Sequence, residues 1–157
     1  AADSLYEAAG KLTDTSASKS LFKKADKVTN DITSAVKDYV KNYNSLIEEA
    51  ADTTNSKVTG KVSFMTGQAN AYKSSLEKVG ITINSDKTLS IDEDTFKKSD
   101  ISDVKKLFNG SGSMAYQTFV RASDISSAAE NASASVTSYG ADGMYNNYYN
   151  SAYNWYL

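Results

Sequence analysis

The strongest constraint on this chain is an apolar heptad pattern between residues 58 and 79. Apolar side chains there recur at alternating steps of four and three residues, at Val58, Val62, Met65, Ala69, Tyr72, Leu76 and Val79. This spacing lines one side of a helix that packs in a supercoiled pair. The pattern therefore predicts a helix that must bury this side against a partner helix.

A second helix is predicted just before it, so that Lys19 to Val79 forms two antiparallel helices folded back at residues 52–56. Its apolar positions form a broad stripe, at Ala25, Val28, Ile32, Ala35, Val36, Tyr39, Val40, Tyr43, Leu46, Ile47 and Ala50. A stripe that wide needs more than one partner helix. We therefore expect this first arm to be the central helix of a three- or four-helix bundle, and core packing accounts for both stripes.

The composition removes most catalytic chemistry. The 157 residues contain no cysteine, histidine or proline, so thiol nucleophiles, histidine bases and the usual zinc sites are absent. The Ser-x-x-Lys pattern of penicillin-recognising enzymes occurs at Ser16, Ser20, Ser34, Ser75 and Ser102, which is noise in a chain rich in serine and lysine. We predict no enzyme, no cofactor and no small-molecule substrate.

The distribution of charge argues against nucleic-acid binding. The net charge of -2 comes from 17 basic and 19 acidic residues, and the basic residues are a single arginine, Arg121, and lysines spread along the chain. A nucleic-acid binder concentrates its basic residues on one face.

After Val79 the apolar period changes from helical to two. Residues 81–83 and 89–91 alternate apolar and polar across residues 84–88, which predicts a small β-hairpin at 81–91. Its polar residues superficially resemble a calcium loop, but Leu89 and Thr95 occupy the positions where that loop needs glycine and glutamate. Turn chemistry is the favoured interpretation, and no metal site is predicted. Two short helices follow, one starting at the acidic residues 92–94 and one capped by Ser99 or Asp100 and ending at Asn109–Gly110.

One helical bundle domain is predicted at residues 19–140, between two terminal segments. Residues 1–18 are expected to be a loosely held segment, with a short helix from Ala2 that Gly10 ends. Near the other end, Met114 to Tyr139 predicts a third bundle helix whose apolar side is mostly alanine, at Ala115, Phe119, Ala122, Ile125, Ala129, Ala132 and Val136. No apolar run approaches the roughly 18 residues of a membrane-spanning helix, and the first residues lack the pattern of a cleavable signal. No membrane insertion is expected.

Small residues recur every seven positions on the outer side of the heptad helix, at Gly60, Gly67 and Ser74. Glycine inside a helix costs about 1 kcal/mol relative to alanine. The stripe is either an exposed face under weak selection or a candidate helix-docking groove. In the second case its occupant is the chain's own later helix or a neighbouring subunit.

The aromatic tail, residues 141–157, has the most unusual composition in the chain. From residue 144 onward it carries no charge and holds Tyr145, Tyr148, Tyr149, Tyr153, Trp155, Tyr156 and Leu157. Such residues offer large contact area with few rotors, so a contact surface is favoured over a flexible tail. Helical spacing places Tyr145, Tyr148 or Tyr149, Ala152 and Tyr156 on one buried side.

Three segments in order resemble a known family. Val36-Lys37-Asp38-Tyr39-Val40-Lys41-Asn42-Tyr43-Asn44-Ser45-Leu46 resembles a "V-x-x-F-V-x-x-Y-N-x-L" helix, residues 76–93 an "L-G-I…L-x-x-D" hairpin, and Val104-Lys105-Lys106-Leu107-Phe108 a "V-x-x-L-F" helix. All three belong to the flagellar filament cap protein, or hook-associated protein 2, family. The closing segment 149–157 is a weaker match to that family's "N-x-x-x-x-(W/Y)-L" end. The chain departs from the family at Lys87-Thr88, where glycine is usual, and in its shorter C-terminal helix.

The resemblance implies an extracellular structural subunit of the bacterial flagellum, one that helps exported flagellin to join the filament. It implies self-association, or contact with flagellin-like or other axial proteins, and a tail that contacts another subunit. The family's N-terminal half and outer domains have no counterpart in these residues, so a fragment and a small relative both remain open. The alternative is a standalone helical binding or adaptor module, cytoplasmic and without a flagellar role.

Overall fold

The computed structural model of the chain describes residues 1–16 and 18–142, with side chains as far as residue 131. These residues form helices α1 (Ala2–Thr13), α2 (Asn30–Ala51), α3 (Ser56–Asn70), α4 (Lys73–Lys78), α5 (Glu93–Lys97), α6 (Ile101–Phe108) and α7 (Met114–Asp142). Strands β1 (Ile81–Ile83) and β2 (Leu89–Ile91) pair between α4 and α5. The predicted class, mainly α with one small β-hairpin, is confirmed.

The bundle consists of α1, α2, α3 and α7. The turn between α2 and α3 lies where it was predicted, but α3 packs chiefly against α7, and α2 packs chiefly against α1. The rest of the broad stripe on α2 is covered by α3, β2 and α5. The expectation that α2 needs more than one partner is confirmed.

α1 belongs to the core, where a loosely held segment was expected. Its residues Ala2, Leu5, Ala8, Ala9 and Leu12 are buried, and Leu5, Ala9 and Leu12 are fully inaccessible. This spacing of three and four places all five on one side of the helix, which lies against both α2 and α7. The helix also continues past Gly10 to Thr13.

The first arm begins at Asn30, eleven residues later than the predicted start at Lys19. Thr29 caps it, since its hydroxyl accepts a hydrogen bond from the backbone N–H of Ile32 at 3.1 Å. The preceding segment, residues 18–28, is irregular and is anchored by the fully buried Phe22. Ala25 and Val28 match the helical spacing because they pack against the core from this segment.

The second arm is two helices instead of one. α3 ends in hydrogen bonds that span three residues, from the Ala71 N–H to the Gln68 carbonyl at 3.1 Å and from the Tyr72 N–H to the Ala69 carbonyl at 2.9 Å. α4 then resumes at Lys73. Leu76 and Val79 remain fully buried across the break, which is why the heptad pattern runs through it.

The β-hairpin is held against α2 by one side chain, Asn44. Within the hairpin, Ile81 pairs with Ile91 and Ile83 with Leu89. The Asn44 amide donates to the Leu89 carbonyl at 2.9 Å and its oxygen accepts from the Leu89 N–H at 2.7 Å. Asn44 thus covers the outer edge of β2, which would otherwise leave backbone groups unpaired.

The turn of the hairpin uses the predicted turn chemistry. The Asp86 carboxylate accepts from both the backbone N–H and the hydroxyl of Thr88, and these bonds hold the pKa of Asp86 below its usual range. Lys87 adopts a φ of 76°, the left-handed region that glycine enters without strain. Lys87 is the one described non-glycine residue with positive φ. It belongs to the Lys87-Thr88 pair, where the resembled family usually has glycine.

The short helices α5 and α6 begin at acidic caps, as predicted. Asp92 accepts from the Thr95 N–H, and Asp100, rather than Ser99, accepts from the Ser102 N–H. Phe108 at the end of α6 makes edge-to-face contacts with Tyr39 and Phe96, with ring centroids 5.6 Å and 6.5 Å apart. These buried ring contacts join α2, α5 and α6.

Candidate assembly surface

α7 is the element from which the predicted contact segment continues. It packs against α1 on one side and α3 on the other. Ala115, Ala122 and Ile125 of its predicted seam are buried, whereas Phe119 is half-buried and Ala129 is exposed. The other two predicted seam positions, Ala132 and Val136, lie outside the described side chains.

The direction of α7 fixes the end of the bundle at which residue 143 begins. Phe119 lies beside Gly10, whereas Ser126 donates a hydrogen bond to Asp3, so α7 runs antiparallel to α1. The helical backbone continues from Ser126 to Asp142, about 24 Å further at 1.5 Å per residue. The segment that follows therefore starts well past the N-terminus of α1.

An exposed group of stacked rings lies where α1 meets α7. The Tyr6 and Phe119 rings stack with centroids 4.2 Å apart, and the Tyr116 ring lies 5.8 Å from that of Phe119. The side chains of Tyr6 and Tyr116 are 39% and 37% exposed. Grouped apolar surface of this kind is typical of contact sites. We call Tyr6, Tyr116 and Phe119 the aromatic cluster.

Gly10 makes room for this cluster. A Cβ atom at residue 10 would lie 3.2 Å from a ring carbon of Phe119, which is closer than ordinary van der Waals contact. The glycine therefore lets the Phe119 ring lie flat against α1 and stack on Tyr6. Sequence reasoning assigned Gly10 to the end of a helix and Phe119 to the core, and so missed the cluster. The available signal was the spacing of Tyr116 and Phe119, three residues apart on one helix.

The predicted groove on α3 is open among the described residues. Gly60 and Gly67 are exposed, and a Cβ atom added at either would meet no described atom within 4 Å. Phe64 lies between them, 55% exposed, with the Arg121 guanidinium 5.3 Å from its ring centroid. We call Gly60, Phe64 and Gly67 the α3 face. Ser74 is also exposed but belongs to α4, beyond the break.

The described part of α7 does not fill this groove. α7 meets α3 through Arg121, which lies over Phe64 and also pairs with Asp124 at 3.0 Å. It meets the junction of α3 and α4 through Gln117, which donates to the Tyr72 hydroxyl at 2.9 Å. Neither α7 nor any other described segment covers the two glycines. A neighbouring subunit as occupant of the groove stays a prediction.

From residue 143 onward, the aromatic tail lies outside the described residues. Its predicted contact residues are therefore placed only by their distance along the chain from Asp142, at Tyr145, Tyr148, Tyr149, Tyr153, Trp155, Tyr156 and Leu157.

Perturbed titratable groups in the described chain do not gather at either surface. Burial raises the pKa of the Tyr39 and Tyr43 hydroxyls well above their usual range, but both lie in the core. The carboxylates with a lowered pKa, such as Glu93 between Lys37 and Lys97, are exposed and held by hydrogen bonds. Among the described side chains, which end at residue 131, no group of three acidic residues is arranged to hold a metal ion.

A family model described as "Flagellar hook-associated protein 2 C-terminus" matches residues 57–154. The match covers more than half of the 157 residues. The chain belongs to the flagellar hook-associated protein 2 family. No curated protein and no solved structure matches it.

Membership of the hook-associated protein 2 family gives the chain a flagellar, cap-related structural context. The family is structural rather than enzymatic and forms part of the extracellular flagellum. Within the part of the chain that is described, no helix is long and apolar enough to cross a membrane.

The motifs that resemble the hook-associated protein 2 family are core residues instead of surface residues. Val36, Tyr39, Val40, Tyr43 and Leu46 are buried in α2, and Asn44 of the same motif holds the hairpin. Val104, Leu107 and Phe108 are buried in α6. The α6 motif lies within the matched residues 57–154, the α2 motif precedes them, and neither includes a residue of the two exposed surfaces.

Proposed function

We propose that the chain is a structural subunit of the flagellar filament cap, where it promotes the addition of exported flagellin. The observation that carries this proposal is the family match over residues 57–154, which spans α3 to α7 and most of the aromatic tail. The subunit acts by association with copies of itself and with flagellin-like or other axial proteins. It works outside the cell as part of the flagellum.

The composition is consistent with such a role. Cysteine and histidine are absent, which removes thiol nucleophiles and histidine bases. Two separate groups of exposed aromatic side chains, the aromatic cluster and Phe64 of the α3 face, offer contact area instead. We further propose that the aromatic tail makes the contact between subunits.

Disruption of the gene in the source organism tests the proposal. Without a cap subunit, exported flagellin should accumulate as monomer in the culture medium, and filaments should be short or absent. Re-expression of the intact chain should restore filament length. Normal filaments and no released flagellin would contradict the proposal and favour a helical adaptor without a flagellar role.

A further inference from the structure

The aromatic cluster lies on the surface where α1 meets α7, and two of its three side chains are exposed to solvent. Tyr6 and Tyr116 flank the Phe119 ring, and both keep more than a third of their surface in solvent. Only Phe64 among the other large apolar side chains of the described residues is as exposed. The three side chains of the cluster are uncharged, aromatic and already ordered by stacking, which lowers the entropy that a partner must offset on binding.

One segment of this chain matches that surface in chemistry. Residues 144–157 have no charged side chain. They contain five tyrosines and one tryptophan, at Tyr145, Tyr148, Tyr149, Tyr153, Tyr156 and Trp155. Aromatic rings gain from stacking on one another beyond the area they bury. The segment requires no salt bridge from its docking site, and the cluster offers none.

Geometry decides which copy of the tail can reach the cluster. Asp142 lies 23 residues beyond Phe119 on α7, so the tail starts about 35 Å away along the helix axis. A helix made of residues 143–157 spans only about 22 Å. A helical tail that turned back on its own bundle would therefore stop short of Phe119, whereas a tail from another copy is free of this limit.

We propose that the aromatic cluster is the docking site for residues 143–157 of a second copy of the chain. This inference rests on the proposed self-association and names its surface. Each copy then offers one tail and one cluster, at points well separated along α7. Contacts of this head-to-tail kind build closed rings when the rotation between copies closes.

Trp155 provides the test, because it is the single tryptophan and lies in the tail. Its fluorescence emission and the mass by light scattering are measured together on the intact chain across protein concentrations. The expected result is a blue shift that appears only as the mass rises. Tyr116→Lys places a charge in the cluster and should move the midpoint of both changes to at least about tenfold higher concentration.

Thr82→Lys is the control, since it adds the same charge at an exposed position of β1, which belongs to neither surface, and it should leave the midpoint unchanged. Phe64→Lys adds that charge to the α3 face and tests this face as the alternative docking site. Arg121, which lies over Phe64, is two residues from Phe119 and so faces another side of α7. Because Tyr116 is partly exposed, its variant is expected to fold, and a melting curve of each variant verifies this. Tyr6→Lys serves as the second cluster variant.

Three outcomes overturn the inference. A blue-shifted emission at every concentration in a monomer would show that the tail docks on its own bundle. A midpoint that moves with Phe64→Lys but not with Tyr116→Lys or Tyr6→Lys would place the tail on the α3 face. Emission that stays solvent-like while mass increases would exclude the tail from the contact. The last two outcomes leave the flagellar role intact, which the gene disruption tests separately.

Discussion

At the scale of single residues, Asn44 shows how a polar side chain can specify the position of a whole element. Its amide group makes two hydrogen bonds to the backbone of Leu89, and it is the only described side chain to bond that residue. It stands in the motif between Tyr43 and Leu46, which are buried beside it. The motif therefore combines two packing residues with one residue that fixes the hairpin on α2.

Asn44→Ala should lower the free energy of unfolding by about 1–3 kcal/mol, because it leaves the N–H and carbonyl of Leu89 without partners at a partly buried site. Denaturant unfolding measures this. Asn42→Ala is the control on the same helix, since the Asn42 amide donates to the Asp38 carbonyl in an exposed setting. Equal losses in the two variants would show that Asn44 does not hold the hairpin.

Two buried tyrosines on α2 form a second matched pair. The Tyr39 hydroxyl shares a hydrogen bond with Thr118 at 2.8 Å, whereas the Tyr43 hydroxyl is buried with no partner among the described residues. We expect Tyr39→Phe to cost about 1 kcal/mol and Tyr43→Phe to be neutral or stabilising. The same unfolding experiment tests both, and a larger loss for Tyr43→Phe would mean that its hydroxyl is satisfied.

The same two tyrosines predict an alkaline limit to stability. In an unfolded chain the hydroxyls of Tyr39 and Tyr43 have a pKa of about 10, whereas in the folded chain burial raises the pKa of both. Because the folded pKa is the higher one, the stabilisation is fully present below about pH 10 and is lost as the pH rises above it. The free energy of unfolding should therefore fall above about pH 10, and fall less steeply in the Tyr39→Phe, Tyr43→Phe double variant. The idea fails if the double variant keeps the original slope.

At the scale of elements, α1 is the main revision to the sequence-based picture. Its apolar positions at Ala2, Leu5, Ala8, Ala9 and Leu12 place a full helical side between α2 and α7. A twelve-residue helix is marginal alone in water, so α1 is stable because it is docked.

Leu5→Ala should therefore destabilise the chain by about 2–5 kcal/mol, the usual cost of removing a fully buried leucine side chain. Leu21→Ala makes the same chemical change at a partly buried site in the irregular segment and should cost less. Thermal and denaturant unfolding compare the two. A Leu5→Ala variant as stable as the parent would restore the expectation of a loose N-terminal segment.

Local sequence signals predicted several elements well. The alternation at 81–83 and 89–91, with turn residues between, predicted the hairpin, and Asp92 and Asp100 marked the starts of α5 and α6. These features depend on contacts between neighbours in sequence. The α2–α3 turn was predicted for the same reason.

Features that depend on tertiary packing were missed. The break at Ala71–Tyr72 leaves Leu76 and Val79 buried, so the apolar pattern contains no sign of it. Ala25 and Val28 fit the helical spacing of α2 although Thr29 starts the helix after them. The aromatic cluster was missed because Tyr6 and Phe119, which stack, are far apart in sequence and meet only when α1 docks on α7.

At the scale of the whole molecule, the chain consists of a packed bundle followed by the aromatic tail, whose composition favours contact with a partner. The core joins all four bundle helices and the hairpin, and it includes the family motifs. The residues beyond Asp142 are uncharged from residue 144 onward and rich in tyrosine. The central claim is that this tail connects subunits instead of stabilising its own bundle.

Deletion of residues 144–157 tests this claim most directly. The truncated and intact chains are compared by light scattering for mass and by thermal unfolding for stability, at the same set of concentrations. The account predicts loss of association with little change in the melting temperature measured at concentrations where both chains are monomeric. A truncated protein of unchanged mass and lowered melting temperature would show that the tail serves its own bundle, and would contradict the account.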